Sequence, residues 1–172
     1  MVEHGAEYVG RALGTSAGLT PRHVSSSIRL MLRGISPLIG PDLLDVLYRM
    51  GHGDELLLAD AHFPAESLGR RVVRCDGHAV ADLLDGILPL ITLDRYVATP
   101  TFLMAPVAGD HADPAVDATY RRVVLRHHAW APEAARIERE AFYLQARACF
   151  AIVVTGETTR YGNIIIRRGN DA

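Results

Sequence analysis

Short apolar runs and helical stripes alternate along this chain, separated by polar breaks rich in glycine and proline. From Pro41 the residues Leu43, Leu44, Val46, Leu47 and Met50 recur at helical spacing, with Pro41 suited to a first turn and Gly51 to ending it. Leu56 to Ala59 follows as an unbroken apolar run, which reads as one fully buried strand. After a loop through Pro64, Val72-Val73 marks a short strand ending at Cys75-Asp76-Gly77. Val80, Leu83, Leu84, Ile87, Leu88 and Ile91 make one stripe and predict a helix from about Val80 to Ile91, with Asp82 and Asp85 off that face. Thr101 to Val107 reads as a strand, and Asp113-Pro114 introduces a helix carrying Val116, Tyr120, Val123 and Val124.

The C-terminal part is the most patterned. Ile137-Glu138-Arg139 reads as a short strand, Phe142 to Phe150 as a helix, Ala151 to Val154 as a buried strand and Asn163 to Ile166 as another. Thr155-Gly156-Glu157 and Tyr161-Gly162 supply the turns between them. Strands alternating with helices argue an α/β fold, a single layered domain with a mostly parallel sheet flanked by helices. Ligands gather beyond the carboxyl ends of strands in such sheets, where Asp60 and Thr155 would fall. Residues 1–30 have a different texture: Gly10, Gly14, Gly18, Pro21 and Ser25-Ser26-Ser27 appear without sustained periodicity. That composition predicts a flexible N-terminal tail, with the folded domain spanning 31–172.

At 172 residues the chain suits one domain with a substantial core. A formal net charge of -2 gives no electrostatic case for nucleic acid or an anionic membrane as partner. No apolar run reaches bilayer-spanning length and the start lacks a basic-then-apolar signal layout, so a cytoplasmic protein is expected. Cys75 and Cys149 are far apart and form no C-x-x-C pair, which fits a reduced compartment. All 18 basic residues are arginine, so no lysine is available for Schiff-base chemistry.

Candidate chemistry centres on Gly51-His52-Gly53-Asp54 and, beyond the Leu56 to Ala59 run, on Asp60-Ala61-His62-Phe63-Pro64. An imidazole titrates near neutrality and can exchange protons at cellular pH, although a histidine in a glycine-rich turn is equally at home as a helix C-cap neighbour. Asp60 can orient an imidazole, bind a ligand or cap the following loop. His52, Asp54, Asp60, His62 and His78 are metal-ligand types, but their spacing matches no zinc motif, and no metal or other cofactor is expected. The remaining histidines, His111, His127 and His128, together with His62 and His78, read as surface or loop residues.

Several blocks, in order, carry a resemblance: Met31-Leu32-Arg33-Gly34-Ile35-Ser36-Pro37, Met50-Gly51-His52-Gly53-Asp54-Glu55, Asp60-Ala61-His62-Phe63-Pro64-Ala65, Ala151 to Glu157, and Tyr161-Gly162-Asn163. Through them residues 31–172 resemble the L-fucose mutarotase and D-ribose pyranase family of small sugar isomerases. The resemblance implies that His52 transfers the proton and that Asp60, Arg139 of the I-x-R segment, Tyr161, Gly162 and Asn163 bind the sugar. It also implies a monosaccharide substrate, no cofactor, and homo-oligomeric rings, often decamers, with sites near subunit boundaries. The Phe-Pro-Ala block and Asp76-Gly77 look more like the fucose branch than the ribose branch. The readings left beside it are ribose pyranase activity and, from another class, a non-catalytic sugar-binding accessory protein.

Overall fold

The computed structural model describes residues 32–170, so the tail expected over 1–30 lies outside the described residues. In chain order the elements are α1 (Pro41–Arg49), β1 (Glu55–Ala59), α2 (Ala65–Leu68), β2 (Val72–Cys75), α3 (Val80–Ile87), β3 (Thr101–Met104), α4 (Pro114–His127), β4 (Ala135–Ile137), α5 (Arg139–Ala148), β5 (Ala151–Thr155) and β6 (Ile164–Arg167). The strands form one sheet in the order β2-β5-β1-β6-β3-β4. Pairings β1–β5, β2–β5 and β3–β4 are parallel, whereas β6 runs antiparallel to both of its neighbours, β1 and β3. The sheet is therefore mostly parallel, as the alternation of elements predicts.

The central strands read as continuous apolar runs because helices cover both faces of the sheet. Successive side chains on a strand point to opposite sides, and the core divides accordingly. Leu56, Leu58, Val153, Ile164 and Ile166 pack with Leu43, Leu47, Leu83, Ile87 and Val124 from α1, α3 and α4. Leu57, Ala59, Ile152, Val154 and Ile165 face the other way, against Ala65 of α2 and Phe142 and Ala146 of α5. The outer strands β2 and β4 are short and half-exposed and carry Arg74 and Arg136, which keeps the sheet edges unattractive to further pairing.

Three boundaries differ from the sequence pattern by more than two residues, each for a local reason. Helix α3 stops at Ile87, not Ile91, because Pro89 has no N–H to extend the ladder; Leu88 and Ile91 stay buried in the turn beyond it. Strand β3 stops at Met104, ahead of Pro106. Arg139 does not lie on a strand: β4 ends at Ile137 and Glu138 accepts the first helical hydrogen bond from Phe142 N at 2.8 Å, so Arg139 opens α5. The single turn α2 was not expected, since four residues are too few to carry a period.

The connection that matters most for the site is the loop 156–163. Strand β1 lies between β5 and β6, so this loop must cross the carboxyl end of β1 to join them. Ala61 N donates to Glu157 O at 2.8 Å and fastens the loop where Asp60 emerges.

Candidate functional site

At the carboxyl end of β1, Asp60 is 9 % exposed and Asn163, at the entry to β6, is 2 % exposed. Their side chains are reciprocally bonded. Asn163 Nδ2 donates to Asp60 Oδ2 at 2.6 Å, and Asp60 N donates to Asn163 Oδ1 at 2.8 Å. The other carboxylate oxygen accepts from His62 N at 2.9 Å, so Asp60 does cap its loop while still facing a cleft. A buried carboxylate is tolerated only when its oxygens are satisfied in this way.

That cleft encloses about 240 Å³ and is lined by Asp60, His62, Met104, Arg139, Tyr161 and Asn163, among others. It falls below the roughly 300–1,000 Å³ usual for larger ligands, so it suits a small one. Arg139 reaches it from the first turn of α5. Its guanidinium lies 5.4 Å from the Tyr143 ring centre and Nε donates to the Tyr143 hydroxyl at 3.3 Å, an i,i+4 pairing across one helical turn. Tyr161 takes a left-handed conformation, φ 59°. Its hydroxyl donates to Asp110 Oδ2 at 3.0 Å and accepts from Val107 N at 3.3 Å, which ties the 105–110 segment over the cleft. The His111 amide and the Tyr161 hydroxyl hold the Asp110 carboxyl below its ordinary range. At Gly162 a Cβ would sit 2.8 Å from both Thr159 O and Glu157 Cγ, so only glycine fits; its carbonyl accepts from the Tyr120 hydroxyl at 3.0 Å. Carboxylate, amide, guanidinium and phenol converge here, a set suited to a small ligand bearing several hydroxyls.

His52 stands elsewhere. It occupies the turn from α1 into β1, at the amino end of the strand that carries Asp60 at its other end. Five strand residues at about 3.3 Å each put about 17 Å of sheet between the two. The turn is built by Asp54, whose Oδ2 accepts from Gly51 N at 2.7 Å, and by Gly53, which alone of the two flanking glycines needs a positive φ, 86°. The imidazole is 45 % exposed, with Nε2 3.3 Å from Asp94 Oδ1. It opens on a separate cleft of about 550 Å³ lined also by Leu88, Ile91, His127, His128 and Arg168. One chain thus brings Asp60, Arg139, Tyr161, Gly162 and Asn163 together and leaves His52 apart from them.

Three further side chains belong to this geometry. Asp94, 1 % exposed, follows the buried Leu93 and carries no motif. Asp110 sits in a loop, and Tyr143 would have followed from Arg139 by helical spacing had Arg139 been placed on a helix. His127 and His128 are not plain surface residues: His127 closes α4 and sits 2.7 Å from Asp85, and His128 is half-buried with Nε2 sealed from solvent and unpartnered. Among the described residues no three metal-ligating side chains gather, and the acidic and histidine residues close in sequence are divided between the two ends of β1.

Residues 33–170 match the profile of the RbsD / FucU transport protein family. An L-fucose mutarotase of Histophilus somni (strain 2336) is 50% identical over 139 residues, covering 81% of this chain and 96% of that protein. A fucose mutarotase from Streptococcus pneumoniae, solved in complex with L-fucose, superposes with a TM-score of 0.78 at 41% identity, over 82% of this chain and 100% of that one. FucU from Bifidobacterium longum superposes with a TM-score of 0.77 at 42% identity, over 81% of this chain and 100% of that one.

Proposed function

Because the chain belongs to the RbsD / FucU transport protein family, we propose that it is an isomerase that interconverts the α and β anomers of L-fucose by acid–base ring opening and closing. The observation that carries this reading is the convergence of Asp60, Arg139, Tyr161 and Asn163, from three separate stretches of sequence, on one cleft of monosaccharide size. The 50% identity to an L-fucose mutarotase across nearly its whole length favours the fucose reaction over ribose pyranase activity.

The chemistry needs one proton donor and one acceptor. A base takes the proton of the anomeric hydroxyl, an acid protonates the ring oxygen, and the C1–O5 bond breaks to give the open-chain aldehyde. Rotation about C1–C2 exposes the other face, and reclosure returns both protons. A positioned proton-transfer group contributes about 10²–10⁴-fold, enough for a reaction already feasible in water. His52 is the proton-transfer group of this reading. Asp60 accepts from sugar hydroxyls, Arg139 donates to them, and Tyr161 offers an apolar face with a hydroxyl at its edge. Gly162 and Asn163 form the turn that sets Tyr161 and Asp60.

With His52 on the far side of β1, the reading requires that the imidazole of one copy face the sugar cleft of another, in a homo-oligomeric ring. The exposed apolar side chains support this. Tyr96 lies 5.8 Å from the His52 ring and Val107 is bonded to Tyr161 at the cleft; both are exposed in the single chain, as are Tyr48 of α1 and Leu144 of α5. Apolar surface at both ends is what a contact between copies would cover. A cytoplasmic enzyme is part of the same proposal.

Saturation-transfer NMR on L-fucose and D-ribose side by side tests it. Anomer exchange of L-fucose is expected to accelerate, with His52→Ala removing most of the gain. His52→Ala and Arg139→Ala proteins, each deficient alone, are expected to regain part of the activity when dissociated and reassembled together, since mixed neighbours restore one intact site. Exchange of neither sugar accelerated by the unaltered protein would leave a non-catalytic sugar-binding protein as the better reading, whereas full activity in His52→Ala would end the assignment of the proton transfer to His52.

A further inference from the structure

We propose that Asp94 is a positioning residue for His52, fixing which imidazole nitrogen carries the proton and which one meets the sugar. The inference rests on the reading of His52 as the proton-transfer group.

Asp94 lies in the connection between α3 and β3 and is 1 % exposed. Its carboxylate has three partners: Tyr96 N donates to Oδ1 at 2.9 Å, Arg167 Nε donates to Oδ2 at 3.1 Å, and His52 Nε2 stands 3.3 Å from Oδ1. Burial alone would push this carboxyl up; the Tyr96 amide, His52 and Arg167 together outweigh it and hold the group below its ordinary value. Asp94 therefore remains a carboxylate, which only accepts hydrogen bonds. An imidazole nitrogen facing an acceptor must carry the hydrogen. The neutral ring is thus held as the Nε2–H tautomer, and the Nδ1 lone pair is left for the substrate.

The backbone keeps Asp94 from moving away. Asp94 N donates to Arg167 O at 3.1 Å, Leu93 bridges Arg168 in antiparallel fashion, and Gly169 N donates to Thr92 O at 2.7 Å. A Cβ at Gly169 would lie 2.7 Å from Asp94 Cα, so the two segments are as close as glycine permits. The same pair of segments holds the histidine turn, because Gly53 N donates to Arg168 O at 2.8 Å and Arg168 N to Asp54 O at 2.9 Å. Carboxylate and imidazole are fixed to one frame. The Tyr96 ring, 5.8 Å from the imidazole centre and tilted by 52°, limits rotation from a second side. A half-exposed histidine without these contacts would flip and exchange tautomers. One that must take and return a proton in register with the sugar gains rate from being held.

A purely structural role is the competing account, since Asp94 also anchors Arg167. Three proteins separate them: Asp94→Asn, Arg167→Met and His52→Ala. The measurements are kcat and KM for L-fucose anomer exchange and the imidazole tautomer from ¹⁵N NMR. Asp94→Asn is expected to lower kcat by about tenfold or more with KM little changed, and to give mixed tautomers. Arg167→Met is expected to keep the Nε2–H tautomer and most of kcat. Equal losses in Asp94→Asn and Arg167→Met would overturn the inference. So would an Asp94→Asn protein of normal kcat and tautomer beside an inactive His52→Ala, with the proton-transfer reading left standing. A fully active His52→Ala would overturn that reading itself. Should Asp94→Asn not fold, the wild-type tautomer decides: Nε2–H supports the inference and Nδ1–H ends it.

Discussion

Replacing Asn163 by alanine removes the side chain that joins the entry of β6 to Asp60 at the end of β1, and the structure sets the size of the effect. Two hydrogen bonds vanish together, one to the Asp60 amide at 2.8 Å and one to its carboxylate at 2.6 Å. The partners left behind are a backbone N–H and a carboxylate oxygen in a site where Asp60 is 9 % exposed. Each buried group stranded without a partner costs about 1–3 kcal/mol, and the charged one lies toward the upper end. Water from the adjoining cleft recovers part of this, so the expected loss is about 3 kcal/mol. For a domain of this size that corresponds to a fall in Tm of about 6–12 °C. Calorimetry or urea titration at fixed protein concentration measures it, concentration being held because assembly would also stabilise the fold. Asn163→Asp sharpens the test: a second carboxylate would then face Asp60, so that variant is expected to be worst at neutral pH and to improve on acidification. A loss below about 1 kcal/mol in Asn163→Ala would refute the reasoning.

Two further outcomes follow from the same geometry. Tyr120→Phe deletes only the hydroxyl that donates to Gly162 O and is expected to cost about 1 kcal/mol and to weaken L-fucose binding, measured by urea midpoint and by titration calorimetry; unchanged affinity would show that the turn holds itself. Stability is expected to fall with acid in two stages. Burial lowers the His128 pKa from its ordinary 6.5, so the neutral form is favoured by the fold and stability declines as the unfolded chain gains a proton below that pH. Asp94 and Asp110 have lowered values, so their contributions are present above their ordinary 3.8 and are lost as pH falls through the folded values. Urea midpoints across this range check both stages, and His128→Leu is expected to abolish the first alone.

Much of this fold was legible because burial on both sheet faces leaves an unmistakable trace. Leu56 to Ala59 and Ala151 to Val154 have no polar residue to interrupt them, and each became a central strand. The cluster lining the cleft was legible only through resemblance, since Asp60, Arg139 and Tyr161 are far apart in the chain and no local period links them. Arg139 was misplaced onto a strand because the pairing of β4 lasts only three residues, too short to compete with the helix that Glu138 starts. The separation of His52 from Asp60 was hidden by arithmetic: eight positions look close, but in extended backbone each position adds more than twice the rise of a helix. Asp94 offered no signal because its meaning comes from Arg167 and His52, which meet it only after β6 has formed.

Strand β6 enters from Asn163 and leaves through Arg167, and Ile165 midway along it is fully enclosed. It therefore works as a stiff spacer, with the turn of Tyr161 and Asn163 mounted at one tip and the turn of His52 braced at the other. A lesion in its middle would disturb both turns in step, even though it touches neither. Under the proposed assembly, the gap between acid–base group and hexose is set by how adjoining copies seat against each other. Selectivity for sugar dimensions would then evolve at the contact between protomers, while the spacer itself stays unchanged.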